Sequence, residues 1–195
     1  MSRKVCLTID VEYPDRPTEA GELDVIDILR EEEAIATLFV EGRWALAHPI
    51  VLGALAEDGY LIGNHSHWHV PIPLLSVSGL RRTILESERA LGVVGIDPRP
   101  WFRLPYGNGW GSEGCHAPLR ALGYETVQWD IDSRDWQAES TQEIVGTVLL
   151  ALEKTEVECP IVVFHSWPTF TAKALCFLLT EFDRQDIELI RLDER

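Results

Sequence analysis

The chain has 195 residues, 46% hydrophobic and 25% charged, which suits one globular domain over residues 1–195 with a sizeable buried core. Its 17 Lys and Arg against 32 Asp and Glu leave a net charge of −15 with no basic patch, which excludes nucleic acid and anionic membrane surfaces as expected partners. No apolar run reaches membrane-spanning length, and the 4 cysteines are scattered without a C-x-x-C, which speaks against a disulfide framework or a cysteine metal cluster.

Met1-Ser2-Arg3-Lys4 leads straight into a strand-like run with no long apolar signal core, so the expected location is cytoplasmic. Val5 to Ile9 reads as a buried strand closed by Asp10. Glu19 to Arg30 has helical spacing through Leu23, Ile26 and Leu29. Ala36 to Val40 is a second strand, and Trp44 to Ala56 a helix interrupted by Pro49 and stopped at Asp58-Gly59. Tyr60 to Ile62 is a third short strand, which runs into Gly63-Asn64-His65-Ser66-His67-Trp68-His69. A helix follows from Ser76 to about Leu91, with Ser76 or Ser78 as its cap. Pro100 to Phe102 is a short strand ending at Arg103, Asn108 to Gly114 a Gly-rich loop, and Pro118 to Leu122 a helix closed by Gly123. The remaining elements are a strand Thr126 to Trp129, a helix Thr141 to Leu152 capped by Ser140, a strand Ile161 to Phe164, a helix Thr171 to Asp183 and a last strand Ile187 to Ile190.

Short apolar strands alternating with amphipathic helices predict an α/β fold with a mostly parallel sheet of about seven strands, closer to a β/α barrel than to a small open sheet. Asp10, His65, Arg103, Asp130, Asp132 and His165 each fall at or just past the C-terminal end of a predicted strand. In parallel α/β folds that edge is where ligands bind and chemistry happens.

The chemistry of these residues points one way. His65 and His69, four apart, share a face if the segment is a helical turn, and two converging imidazoles are half of a divalent-metal site. Taken alone the pattern equally fits a solvated His-rich loop. Asp10 and Glu12, at i and i+2 on a strand end, project to one side, so one carboxylate can bind metal while the other takes a proton. Two histidines and a carboxylate leave an open position for water and substrate, as in a catalytic zinc site. His165 can act as acid with Asp132 as its partner. Arg103, opening the turn Arg103-Leu104-Pro105-Tyr106-Gly107, can clamp a carboxylate. Among the tryptophans near these loops, Trp136 and Trp167 are candidate aromatic walls for a sugar ring.

Five short motifs in order make the chain similar to the polysaccharide deacetylases, carbohydrate esterase family four, from Leu7 to about Leu192. Thr8-Ile9-Asp10-Val11-Glu12 resembles T-F-D-D-G, His65-Ser66-His67-Trp68-His69 resembles H-S/T-x-x-H, and Phe102 to Gly107 resembles R-x-P-Y-G. Asp132-Ser133-Arg134-Asp135-Trp136 resembles D-x-x-D-W, and Val163-Phe164-His165 resembles L-x-H. The resemblance implies a distorted (β/α) barrel, a divalent metal, usually zinc, and hydrolysis of an N- or O-acetyl group on a sugar or oligosaccharide. It implies Asp10 as general base, His65 and His69 as metal ligands and His165 as general acid. Arg103 would tether the base, Asp132 tune the acid, and the Tyr106 backbone N–H hold the oxyanion.

The chain departs from the pattern where the metal-binding aspartate is expected. Val11 stands there and cannot bind metal, and Glu12 replaces the glycine. Glu12 becomes the third ligand, as in related branches with D-x-D or D-x-E; if Glu12 points away, Asp10 is itself the ligand. A deformylase or cyclic-amide hydrolase acting on a small molecule, and an inactive carbohydrate-binding module, are the alternatives these departures leave.

Overall fold

The computed structural model of the chain describes residues 3–12 and 24–195. Among the described residues the elements run β1 (Arg3–Val11), α1 (Asp24–Glu31), β2 (Thr37–Val40), α2 (Gly42–Ala47), α3 (Pro49–Glu57), β3 (Leu61–Asn64), α4 (Val77–Gly92), β4 (Trp101–Phe102), α5 (Glu113–Arg120), β5 (Glu125–Thr126), β6 (Ile131–Asp132), α6 (Thr141–Lys154), β7 (Ile161–His165), α7 (Thr171–Arg184) and β8 (Ile187–Ile190). The sheet order is β5-β4-β3-β2-β1-β7-β6, with β8 on β1, and the pairs β1–β7, β1–β8, β3–β4, β4–β5 and β6–β7 are parallel. This is the α/β class expected from the sequence, the distorted (β/α) barrel, with seven strands along the sheet path and β8 beside it on β1.

The chain divides into two compact units, residues 1–37 with 129–195, and residues 38–128. In the first unit, β1 from Val5 onward and β7 up to Phe164 are buried through Val5, Leu7, Ile9, Val162, Val163 and Phe164, as in strands covered on both faces. Their register pairs Cys6 with Ile161 and runs to Asp10 with His165, while Arg3 to Cys6 of β1 pair with Ile187 to Ile190 of β8. Helices α1, α6 and α7 bury Val25, Ile26 and Leu29, Ile144, Val148 and Leu152, and Ala174, Leu175 and Leu178. In the second unit Ile72, Leu80, Ile84, Phe102, Leu104, Cys115, Leu119 and Tyr124 form one core cluster.

Local chemistry explains most boundaries. The Ser140 hydroxyl accepts the Glu143 N–H at 3.2 Å and the Ser76 hydroxyl the Gly79 N–H at 3.2 Å, so both serines cap their helices. Ser78, the alternative cap, lies in the first turn of α4. Pro49 does more than interrupt a helix: it starts α3 at its first position, after His48 leaves the helical region at φ −127°. The N-terminal part of the first expected helix, before residue 24, lies outside the described residues. Helix α5 begins at Glu113, earlier than expected, and carries Pro118 inside it. The strand expected at Thr126 to Trp129 ends at Thr126, and Ile131–Asp132 forms a separate strand. There Asp130 pairs with Ile161 through both backbone and side chain: its N–H donates to the Ile161 carbonyl at 2.9 Å and its carboxylate accepts the Ile161 N–H at 2.8 Å.

Cys6 and Cys115 are buried and Cys159 and Cys176 half-buried, all four as free thiols. Among the described residues no helix is long and apolar enough to cross a membrane.

Gly42 shows how tightly the second unit is packed. Its N–H donates to the Ser66 carbonyl at 2.9 Å. A Cβ added at Gly42 would lie 2.3 Å from His67 Nδ1 and 2.9 Å from Ser87 Cα. Backbone on one side leaves little room to give, so Gly42→Ala should lower the stability of the protein by about 1–3 kcal/mol, the usual cost of overpacking. The midpoint of urea unfolding measures this; an unchanged midpoint would mean that α2 and the histidine segment move apart freely.

Candidate active site

The two units each carry part of the chemistry. In the first, the β1–β7 register sets Asp10 and His165 as partners at the ends of adjacent parallel strands. Asp10 is 3% exposed and Glu12 7%. One ligand-type atom from each of Asp10, Glu12 and His165 lies within 4.8 Å of the others. The segment after β7 closes over β1: the Ser166 N–H donates to the Asp10 carbonyl at 3.0 Å, and the Glu12 N–H donates to the Ser166 hydroxyl at 3.1 Å.

The carboxylate that holds His165 is Asp135. The His165 Nδ1–H donates to Asp135 Oδ1 at 2.7 Å, and Asp135 Oδ2 accepts the His165 backbone N–H at 2.7 Å and the Thr171 hydroxyl at 2.9 Å. This corrects the expectation that Asp132 partners the acid. Asp132 is the last residue of β6, and its Oδ1 accepts the Arg134 N–H at 2.8 Å in an Asx turn. Arg134 takes φ +56° in that turn, and the chain reverses so that the next residue, Asp135, is delivered fully buried beneath His165. Both aspartates belong to the D-x-x-D-W motif, and the second was legible there as a candidate. Asp130 is also outside this group, occupied with Ile161 and with Arg195 at 3.0 Å.

With Nδ1 committed to Asp135, His165 has Nε2 as its remaining ring nitrogen for proton transfer or ligand binding. Burial alone would push its pKa down, but the charge and hydrogen bond of Asp135 outweigh that, with Glu12 and Asp10 adding, and hold it at about 10. A cation held nearby would pull this value lower. Trp167 follows two residues on, its ring centroid 6.2 Å from that of His165, and its Nε1–H donates to Glu12 Oε2 at 2.6 Å. Trp136 stands next to Asp135 with about half of its surface exposed, at 48%.

In the second unit, His65 and His69 bring their Nε2 atoms to 3.1 Å. A helical turn is not what does this. His65 follows the end of β3, and Ser66 and His69 both take left-handed backbone conformations, at φ +65° and +49°. Side chains hold the bend: Asn64 Oδ1 accepts the Ser66 N–H at 2.8 Å, and the Ser66 hydroxyl accepts the His69 N–H at 3.1 Å. Asn64 is anchored in turn by Tyr124, whose hydroxyl accepts the Asn64 Nδ2–H at 3.0 Å and donates to Glu88 at 3.0 Å; Arg99 closes the chain on Glu88 at 2.8 Å. Burial first, with the Glu88 contact adding, raises the Tyr124 pKa far above its ordinary value, so the hydroxyl stays a donor.

The Arg103 carbonyl accepts the His65 Nδ1–H at 3.0 Å. A carbonyl only accepts, so His65 is the Nδ1–H tautomer and its Nε2 carries a lone pair. Two imidazole nitrogens on one tetrahedral zinc, each at about 2.0–2.1 Å, would lie about 3.3 Å apart. The observed 3.1 Å therefore fits a divalent cation with a small outward movement. The Arg103 side chain is fully buried, its guanidinium 4.1 Å over the Phe39 ring. Tyr106, at φ +58° in a short turn after Leu104, is 62% exposed and packs its ring 4.4 Å from that of His69. His67 belongs to the packing: it is 8% exposed, its N–H donates to the Thr83 hydroxyl at 3.1 Å, and burial lowers its pKa.

Residues 2–134 match the polysaccharide deacetylase family. The chain belongs to that family. A chitooligosaccharide deacetylase of Azorhizobium caulinodans is 29% identical over 143 residues, 73% of this chain and 67% of that protein. The peptidoglycan-N-acetylglucosamine deacetylase PgdA of Listeria monocytogenes is 26% identical over 99% of this chain, which spans only 39% of that protein's length. The structure of a family 4 carbohydrate esterase from Streptomyces lividans in complex with acetate superposes at a TM-score of 0.79, with 25% identity, over 95% of this chain and 90% of that one. With this membership the chain falls in the deacetylase class of hydrolases.

Asp135→Asn should remove the largest influence that raises the His165 pKa. If His165 serves as a general acid, it is active below its pKa, so the alkaline limb of the kcat/KM–pH profile should move to lower pH. Turnover at neutral pH should fall by about 10²-fold or more. Asp132→Asn, which keeps an acceptor for the Arg134 N–H, should leave that limb in place. An alkaline limb that moves with Asp132→Asn and not with Asp135→Asn would reverse the pairing.

Proposed function

We propose that the protein hydrolyses an acetyl group from an N-acetylated sugar or oligosaccharide, using a divalent cation, zinc first, held by His65, His69 and Glu12. The observation that carries the reading is the donor set: two imidazoles with Nε2 atoms 3.1 Å apart, one with its tautomer set by the Arg103 carbonyl. The family membership and the carboxylates Asp10 and Glu12 at the end of β1 support it.

Bound there, the cation would supply Lewis acidity, lowering the pKa of water and polarising the acyl carbonyl. The chain's own groups do the rest. Asp10 takes a proton from the attacking water, whose oxygen bonds to the acyl carbon. The Tyr106 backbone N–H donates to the oxygen that becomes anionic, and Arg103 tethers the base. The carbon–nitrogen bond then breaks, the amine nitrogen takes the proton from His165 Nε2, and acetic acid and the free amine leave. Asp135 keeps the His165 ring oriented throughout and stabilises its protonated form. Trp136, with an exposed ring beside Asp135, is placed for the face of a sugar.

Two substitutions separate the roles of the strand-end carboxylates. Glu12→Ala should lose most zinc affinity, measured by competition with a chromogenic chelator. Asp10→Ala should keep the metal and lose turnover of acetylated chitooligomers by about 10²- to 10⁴-fold. The opposite pattern would make Asp10 the ligand. Purified protein with no stoichiometric divalent metal, and no activity gained with zinc or cobalt, would remove the proposal; sugar binding without hydrolysis by zinc-loaded protein would favour a binding module instead.

A further inference from the structure

Glu12 has a longer side chain than an aspartate ligand would, with one more rotatable bond to hold in place. Its peptide is fixed: the Glu12 N–H donates to the Ser166 hydroxyl at 3.1 Å, and the neighbouring Ser166 N–H donates to the Asp10 carbonyl at 3.0 Å. Its carboxylate is fixed from the same segment, because the Trp167 Nε1–H donates to Oε2 at 2.6 Å in a half-buried contact. An indole N–H is a donor only, so it can meet an acceptor such as this carboxylate but can never itself ligate a cation. A donor held against a carboxylate is the arrangement that orients metal ligands from behind. The tryptophan follows Ser166 directly, so one tripeptide, His165-Ser166-Trp167, supplies an acid, a backbone clamp and a side-chain clamp.

We propose that Trp167 is a positioning residue for Glu12: its indole N–H holds Oε2 and thereby turns Oε1 toward the cation. This rests on the reading of Glu12 as a metal ligand. It is compatible with Trp167 as an aromatic wall for the substrate, since a sugar would meet the ring face and the Nε1–H edge is what engages Glu12. The clamp answers a problem particular to this chain. With Val11 in place of a ligand, the third donor must come from the longer Glu12 side chain just past the last residue of β1.

The test is zinc affinity of the full chain, by chelator competition, for wild type, Trp167→Phe, Glu12→Ala and the double variant, with thermal melts of the metal-free proteins. Trp167→Phe keeps an aromatic ring and removes the donor, and should raise the zinc Kd by about 10- to 100-fold. It should add little further loss in the Glu12→Ala background, because it acts through that carboxylate. Trp167→Gln, which keeps a side-chain N–H donor, should recover part of the affinity and decides the matter if the phenylalanine variant does not fold. An unchanged Kd in Trp167→Phe while Glu12→Ala loses affinity would overturn the clamp alone, as would an equal loss in both backgrounds. A Glu12→Ala protein that binds zinc as wild type does would overturn the ligand reading and the clamp together.

Discussion

The parallel register between β1 and β7 is the constraint on which the catalytic half of the first unit depends. It pairs Asp10 with His165 at the end of two buried strands. Adjacent strands lie about 4.8 Å apart, so side chains leaving paired positions on one face start within reach of a common ligand. A slip of one residue would turn every side chain of β1 to the other face. That slip is opposed by Leu7, Ile9, Val162, Val163 and Phe164, all buried, and by the Thr8 hydroxyl on the Val162 carbonyl at 2.8 Å. The apolar core thus determines where Asp10 and His165 stand, the residues proposed as base and acid.

Burying Asp10, Glu12 and Asp135 in one place is unfavourable unless each carboxylate is met by donors. The structure meets Asp135 with two N–H groups and a hydroxyl, and Glu12 with an indole. The second unit carries a different cost. Ser66, His69 and Tyr106 are non-glycine residues at positive φ, a conformation worth on the order of 1–3 kcal/mol each when strained. The Asn64 and Ser66 side chains offset part of it at the bend, and the Tyr124–Glu88–Arg99 chain makes Asn64 rigid enough to do so. Strain is thus concentrated where the imidazoles must converge, and the packing of α4 and the Phe102–Tyr124 core holds it there.

Much of this is legible in the sequence because it is local or periodic. Strand and helix alternation follows from apolar spacing, Ser76 and Ser140 are recognisable caps, and the strand-end polar residues mark the functional edge. The rest depends on partners distant in the chain or on backbone conformations that spacing does not encode. Asp132 and Asp135 are both acids past a predicted strand; only the left-handed turn at Arg134 decides which one reaches His165. His65 and His69 four apart suggest a helical turn, whereas an Asx turn from Asn64 brings them together. The Trp167–Glu12 bond joins residues 155 positions apart, which no local pattern encodes. Ile131–Asp132 is too short a strand to show a period of two at all.

Val11 gives the site its particular geometry. It is fully buried in β1, while Asp10 before it and Glu12 after it contribute atoms to one cluster with His165. Side chains alternate along a strand, so a residue between two that face the site must face away from it. The valine there is fully buried as the last residue of β1. On the reading proposed above, ligand duty falls to Glu12, which lies just past the last residue of β1 and needs external support. Ser166 and Trp167 supply that support from the neighbouring strand end, and the same β1–β7 pairing that aligns Asp10 with His165 brings them there.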